Sequence, residues 1–418
     1  MRKLKITGGK PLSGEVSICG AKNAALPALF ACLLTDEQCR IDNIPQLRDI
    51  DSALAVLAAV GAEVDRQGDS VRICAASLTA TSAPYELVKT MRASVLALGP
   101  LLARAKEARV SLPGGCVIGA RPVDMHMDGF AKMGADVKIH RGDIVAQADK
   151  LQGAIIRLPF PTVTGTENLM MAAALADGKT IIENAAREPE IIDLAVMLNA
   201  MGADISGAGE SAISINGVSK LGGAHHRVMP DRIEAGTYLC AAAACGGEVF
   251  LHNAQLRHLS ALADKLQECG AMVQDGKDGA DGIGITMRGR PQAADIATAP
   301  YPGYPTDLQA QWLALSCIAK GRAAITETIF ENRFMHVPEL ARMGADIELR
   351  GNTAIVGGAE YLSGARVMAT DIRASAALVV AALAARGDTI IDRIYHLQRG
   401  YGRMTQKLGA LGASVQLV

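Results

Sequence analysis

The sequence lacks any strong charge bias: 42 Lys+Arg stand against 43 Asp+Glu, a net charge of -1. Aromatic residues make up only 3% of the chain, and no long basic run or basic patch interleaved with aromatics occurs, which argues against nucleic acid as the main partner. Any anion-binding site must then be local. No apolar run approaches the roughly 20 residues that span a bilayer; Ala24 to Leu34 and Ala374 to Ala385 fall well short. The opening MRKLKITGGK has positive charge but no apolar stretch behind it, so a cytoplasmic protein without a membrane partner is expected. CxxC spacing is absent as well. The nine cysteines are an odd, scattered set that suggests neither a disulfide framework nor a zinc site. There is no Walker A sequence, and GADGIG at Gly279 to Gly284 reads as a hairpin loop rather than a dinucleotide fingerprint. His225-His226 and the pair His252/His258 lack partners at metal-ligand spacing. No metal, organic cofactor or obligate protein partner is indicated.

What the chain does contain is a repeat. A Gly-Ala pair followed by a strand-like segment recurs at Gly61, Gly134, Gly202, Gly270, Gly344 and Gly412, a period of about 70 residues. Each copy opens with an almost wholly apolar helical segment: AALPALFACLL, ASVLALGPLLA, NLMMAAALA, TYLCAAAAC, QWLALSCIA and ASAALVVAALAA. In four copies a glycine (Gly178, Gly246, Gly321, Gly387) then stops the helix, and a β-rich piece such as TIIEN, EVFLHN, AAITE or TIIDR follows. An amphipathic helix such as DIDSALAVLAAV comes next, and the Gly-Ala pair leads into a closing strand.

Helices that are apolar on all sides must be buried on all sides. The expected class is therefore α/β with the apolar helices inside, surrounded by sheets and amphipathic helices. A chain of 418 residues exceeds the usual size of one core, and six copies divide naturally into two domains of three. The junction is expected at Met229-Pro230-Asp231, after the turn-rich GVSKLGGAHHR. The segment before the first helix can pair with either half.

Polar residues recur at two places in the repeat. At the start of the apolar helix stand Lys22, Arg92, Thr166-Glu167, Arg232, Asp307 and Arg373; between the central strand and the amphipathic helix stand Arg48, Arg121, Arg187, Arg257, Arg333 and Arg399. Helix N-termini favour anions, and a guanidinium matches carboxylate and phosphate bidentately, so a multiply anionic ligand is expected. Capping of neighbouring elements is the alternative for any one arginine. Asp307 breaks the basic set and is a candidate general base, with an N-cap role as its alternative. In LPGGCVIGARPVDMH, Leu112 to His126, Gly114-Gly115 predicts a mobile turn that exposes Cys116, an unusual place for a core thiol.

These blocks carry a resemblance. GAKNAALPA, GGCVIGARPVDMH, IIENAAREPEI, YPGYPTDLQAQ, ENRFMHVPEL, ATDIRASAAL and IYHLQRGY span the chain, which closely resembles the UDP-N-acetylglucosamine 1-carboxyvinyltransferases, a family of bacterial enolpyruvyl transferases. The resemblance implies two inside-out α/β barrel domains of three units each, 22–229 with the Cys116 loop and 230–418 completed by segment 1–21. It implies transfer of the enolpyruvyl group of phosphoenolpyruvate to the 3-hydroxyl of UDP-N-acetylglucosamine, with release of phosphate, by addition and elimination. That reaction is the first committed step of peptidoglycan precursor synthesis, and the enzyme is a fosfomycin target.

Position by position, the resemblance makes Cys116 the proton donor and Asp307 the base beside the sugar hydroxyl. Lys22, Arg121 and Arg399 match the cations around the substrate phosphate, with Asn23 beside them; Arg333 and Arg373 match arginines near its carboxylate or in the closed-state contacts. Arg92, Arg121, Pro122, Val123, Asp124, Met125, Asp307 and Ile329 match positions lining the nucleotide-sugar. The block Phe160 to Gly165 departs from the basic or Ser-Val-Gly-Ala sequence often found there, so no nucleotide contact is assigned to it. A transferase acting on shikimate 3-phosphate shares the architecture but lacks this cysteine loop, and a catalytically idle nucleotide-sugar sensor would not need Cys116, Asp307 and the cations together.

Overall fold

The computed structural model describes residues 2–83, 85–88, 91–112 and 123–418 and, for Arg92, the backbone alone. Cys116, Arg121 and Pro122 lie outside the described residues. The described chain divides into two compact units, one of residues 2–19 and 230–418, the other of 20–112 and 123–229.

Among the described residues the strands form six four-stranded sheets of one pattern. In the sheet Ile155–Arg157, Lys179–Glu183, Ala212–Asn216 and Asp204–Ser206, the first two strands are parallel and the remaining neighbours antiparallel. Period-2 alternation seats each strand: in Lys179–Glu183, Thr180 and Ile182 point inward while Lys179 is exposed. The parallel strand has only two or three residues in five of the sheets and six in the other, Leu12–Ser17, and it comes from far away in the chain when the repeat must close. His225–Arg227 pairs with Gln38–Asp42 in the 20–229 unit. In the 230–418 unit Leu12–Ser17 pairs with Gly247–His252, and Leu4–Thr7 lies between Asp388–Asp392 and Ser414–Leu417. The N-terminal segment thus belongs to the C-terminal unit through backbone hydrogen bonds of two sheets.

The apolar segments are helices buried along nearly their whole length. In the C-terminal unit, Arg232–Cys245, Gln309–Ser316 and Ile372–Ala384 pack on one another, their many alanines allowing close approach. In the other unit Lys22–Ala31, Leu98–Ala105 and Val163–Ala173 fill the same role. Five of the six begin earlier than the apolar pattern alone predicts, so that Lys22, Glu167, Arg232, Gln309 and Arg373 are helical and buried. The second segment is 3-10 over Arg92–Ala97 before turning α at Leu98. Pro100 explains this, because its ring conflicts with the carbonyl four residues back and it has no N–H to donate.

The Gly-Ala pair has one stereochemical cause throughout. All six glycines have positive φ, from 83° at Gly412 to 107° at Gly61. In the first copy Gly61 N–H donates to Ala58 O and Ala62 N–H to Leu57 O, and Ala135, Ala203, Ala271, Ala345 and Ala413 make the matching bond. These are Schellman motifs, in which glycine takes the left-handed position and the following residue returns to the last turn. The stop glycines Gly178, Gly246, Gly321 and Gly387 also have positive φ, and in the second copy, one of the two without such a glycine, Lys106 takes φ 65° itself. One loop expectation needs correction: most of GADGIG lies in the strand Ala280–Met287, and the turn is Asp278-Gly279. Both turn residues have positive φ, as a tight hairpin matching strand twist requires, so the extra glycines sit in the ladder.

Candidate functional site

The C-terminal unit gathers polar side chains at the N-terminal ends of its core helices. Asp307 sits in the 3-10 turn Thr306–Leu308 that feeds Gln309–Ser316, and Arg373 lies in the first turn of Ile372–Ala384. Asp371 caps that helix, accepting from Arg373 N–H at 2.8 Å and Ala374 N–H at 3.0 Å. Asp307 holds two guanidinium groups, one on each oxygen: Arg333 Nη2 at 2.6 Å from Oδ1 and Arg373 Nη2 at 2.6 Å from Oδ2. The Arg333 side chain is 3% exposed, that of Arg373 9%, and that of Asp307 24%. Burial alone pushes the Asp307 carboxyl up, but Arg373 and Arg333 outweigh it and hold the group well below the usual carboxylate range.

A second layer orients these groups. Gln311 Nε2 donates to Asp307 O at 3.0 Å, to Thr237 Oγ1 at 3.0 Å and to Tyr401 OH at 3.1 Å, and Arg373 Nη1 reaches Tyr401 OH at 3.4 Å. Buried Glu327 ties two loops together: its Oε2 accepts from Thr306 Oγ1 at 2.8 Å, and its Oε1 from Ile329 N–H at 2.8 Å and Phe330 N–H at 3.1 Å. Glu327 therefore positions both the turn carrying Asp307 and the exposed Ile329. Arg399 ends the 3-10 turn Leu397–Arg399 and is half-buried. Arg333 Nε and Nη1 are buried and have no hydrogen-bond partner among the described residues.

In the 20–229 unit, Lys22 is the first residue of its helix and its Nζ lies 3.4 Å from Asp49 Oδ2, with both side chains nearly buried. Asn23 follows, half-buried. Val123 precedes the helix Asp124–Lys132, whose Asp124 is exposed and whose Met125 and His126 face inward. His126 Nδ1 lies 3.0 Å from Asn168 Nδ2, whose amide also reaches Val95 O and Gly99 N–H. With that acceptor role for Nδ1, the ring is the neutral Nε2–H tautomer, and burial pushes its pKa down to about 4. Glu167 is fully buried; burial first, then the charges of Glu190 and Glu188, push its carboxyl well above the usual range. Thr162 caps its helix, accepting from Gly165 N–H at 3.3 Å, so the variant block Phe160 to Gly165 is a helix start.

The recurrent arginines separate by environment. Arg187 donates to Gly209 O at 3.1 Å and Arg257 to Gln255 Oε1 at 2.9 Å, and both are exposed, as is Arg48. They serve as surface cations and loop ties. Of the arginines between the central strand and the amphipathic helix, only Arg333 and Arg399, among those described, are withdrawn from solvent. Sequence reasoning missed Asp49, Tyr401, Gln311, Thr237 and Glu327. Asp49 follows Arg48, Tyr401 comes two residues after Arg399, and Gln311 lies within YPGYPTDLQAQ, whereas Thr237 opens TYLCAAAAC and Glu327 ends AAITE, segments that the pattern marks only as apolar helix and strand.

The fold is that of solved enolpyruvyl transferases. The enolpyruvyl transferase NikO from Streptomyces tendae matches with a TM-score of 0.89 at 24% identity, over 100% of this chain and 99% of that chain. Two structures of EPSP synthase from Acinetobacter baumannii match with a TM-score of 0.76 at 16% and 17% identity, over 100% of both chains. At these identities the likeness is one of fold. The family model described as EPSP synthase (3-phosphoshikimate 1-carboxyvinyltransferase) matches residues 6–408, so the chain belongs to the EPSP synthase family of enolpyruvyl transferases. No helix among the described residues is long and apolar enough to cross a membrane.

Proposed function

We propose that the protein transfers the enolpyruvyl group of phosphoenolpyruvate to the 3-hydroxyl of UDP-N-acetylglucosamine, releasing phosphate, and so opens peptidoglycan precursor synthesis in the bacterial cytoplasm. The observation that carries this reading is Asp307 at a core helix start, bound by the buried Arg333 and Arg373, in a chain that also contains GGCVIGARPVDMH. We read each unit as an inside-out α/β barrel, on the strength of its all-round buried helices.

In the proposed reaction the sugar oxygen attacks carbon 2 of phosphoenolpyruvate as its proton passes to Asp307, while carbon 3 takes a proton from Cys116. Elimination then returns a carbon 3 proton to Cys116, re-forms the double bond and expels phosphate, which carries off the sugar hydroxyl's proton from Asp307. Lys22, Asn23, Arg121 and Arg399 would hold the phosphate; Arg333 and Arg373 would hold the carboxylate. Arg92, Pro122, Val123, Asp124, Met125 and Ile329 would line the nucleotide-sugar.

The family description favours a second acceptor, shikimate 3-phosphate. A phosphate-release assay with phosphoenolpyruvate and each acceptor in turn separates the two. Release with UDP-N-acetylglucosamine alone is expected. Release only with shikimate 3-phosphate, or with neither, would refute the reading.

A further inference from the structure

The geometry around Asp307 conflicts with its use as a base in this state. A base that takes a hydroxyl proton must be basic enough to hold it, yet each Asp307 oxygen already accepts a charge-assisted hydrogen bond from a guanidinium nitrogen 2.6 Å away, which leaves it a lone pair but draws off its basicity. The two arginines explain why. Their side chains are 3% and 9% exposed, and buried guanidinium groups without an opposing anion are costly. Asp307 supplies that anion from within the chain. It does not saturate the site, because Arg333 Nε and Nη1 remain buried and without a partner among the described residues.

We propose that Asp307 is an internal stand-in for the substrate's carboxylate. In the unliganded protein it occupies the Arg333/Arg373 pair; an incoming carboxylate takes over the two guanidinium groups and releases Asp307. The freed carboxylate, no longer neutralised by two cations, then accepts the acceptor's hydroxyl proton as the new C–O bond forms. Basicity is thereby withheld until the second anion has arrived, and the exchange lowers the apparent affinity for that anion by the fraction of protein in the clamped state. The identity of the anion as phosphoenolpyruvate rests on the function proposed above; the exchange itself rests on the Asp307, Arg333 and Arg373 geometry.

The test is calorimetric titration of wild type and Asp307→Ala with phosphoenolpyruvate and, separately, orthophosphate, without acceptor. Removing the stand-in should tighten phosphoenolpyruvate about ten- to hundredfold, as expected when a clamped state populated at about 90–99% is abolished. Orthophosphate, which has no carboxylate to offer, should change less than about twofold. Equal tightening of both would mean simple relief of charge repulsion and would overturn the proposal, as would unchanged or weaker phosphoenolpyruvate binding. A second measurement covers a variant weakened in folding. Acetate should raise the thermal midpoint of Asp307→Ala relative to chloride at equal ionic strength and leave wild type alone, and equal responses would also overturn the exchange. Failure of wild type to release phosphate in the assay above would remove the proposed function, while the contrast between the two anions would still be read.

Discussion

Replacing one Schellman glycine by alanine tests the repeat as a physical object. Gly61 and Gly202 end equivalent helices of the same unit, with φ of 107° and 99°. An L-residue in left-handed backbone costs about 1–2 kcal/mol, and alanine returns about 0.4–1 kcal/mol by stiffening the unfolded chain. At Gly202 an added Cβ would meet nothing within 4 Å, so the net cost of Gly202→Ala should be about 1 kcal/mol. At Gly61 the same Cβ would lie 2.7 Å from Ser77 O and from Thr79 N and 2.8 Å from Thr79 Oγ1. Two of those atoms are backbone, and Thr79 N–H is committed to Val60 O at 3.0 Å, so the loop must move as a whole. Overpacking adds about 1–3 kcal/mol, bringing Gly61→Ala to about 2–4 kcal/mol. Urea unfolding followed by far-ultraviolet circular dichroism reads the difference. The single tryptophan, Trp312, is buried in the other unit and serves as an internal reference in fluorescence. A neutral Gly202→Ala would refute the stereochemical cause of the repeat, and equal losses at the two sites would refute the packing difference.

Two further outcomes follow from the polar groups. His126 has a folded pKa of about 4, below the roughly 6.5 of an unfolded histidine, so the unfolded chain binds the proton first as pH falls. The 20–229 unit should lose up to about 3 kcal/mol between pH 6.5 and pH 4, and His126→Asn should flatten that slope; an unchanged slope would show that other groups set it. Tyr401→Phe removes the hydroxyl shared by Thr237 at 3.0 Å, Gln311 at 3.1 Å and Arg373 at 3.4 Å. Gln311 and Thr237 keep their bond to each other, so the loss falls on Arg373, and thermal unfolding should report about 1–2 kcal/mol in the C-terminal unit rather than the larger penalty of a collapsed network.

What was legible in the sequence depended on whether the requirement was local. A glycine at φ near 90° and a helix apolar on every face are properties of a few consecutive residues, so the six helix ends and six buried helices could be read directly. Closing strands such as His225–Arg227 could not, because three residues carry almost no periodicity and the partner Gln38–Asp42 lies far away in the chain. The candidate site follows the same division. Arg187 and Arg333 hold one position in the repeat and begin with the same side chain. Arg187 is exposed and ends on Gly209 O, whereas Arg333 is buried on Asp307. The difference lies at the start of the core helix, where one copy has Thr166-Glu167 and the other Asp307. Glu167 is buried near Glu188 and Glu190 and held toward its neutral form, so it offers no exposed anion to a guanidinium; Asp307 stands in a turn one step before its helix and does. A repeat sets where a side chain starts, and the copy-specific partner decides whether it becomes a surface tie or an anion receptor.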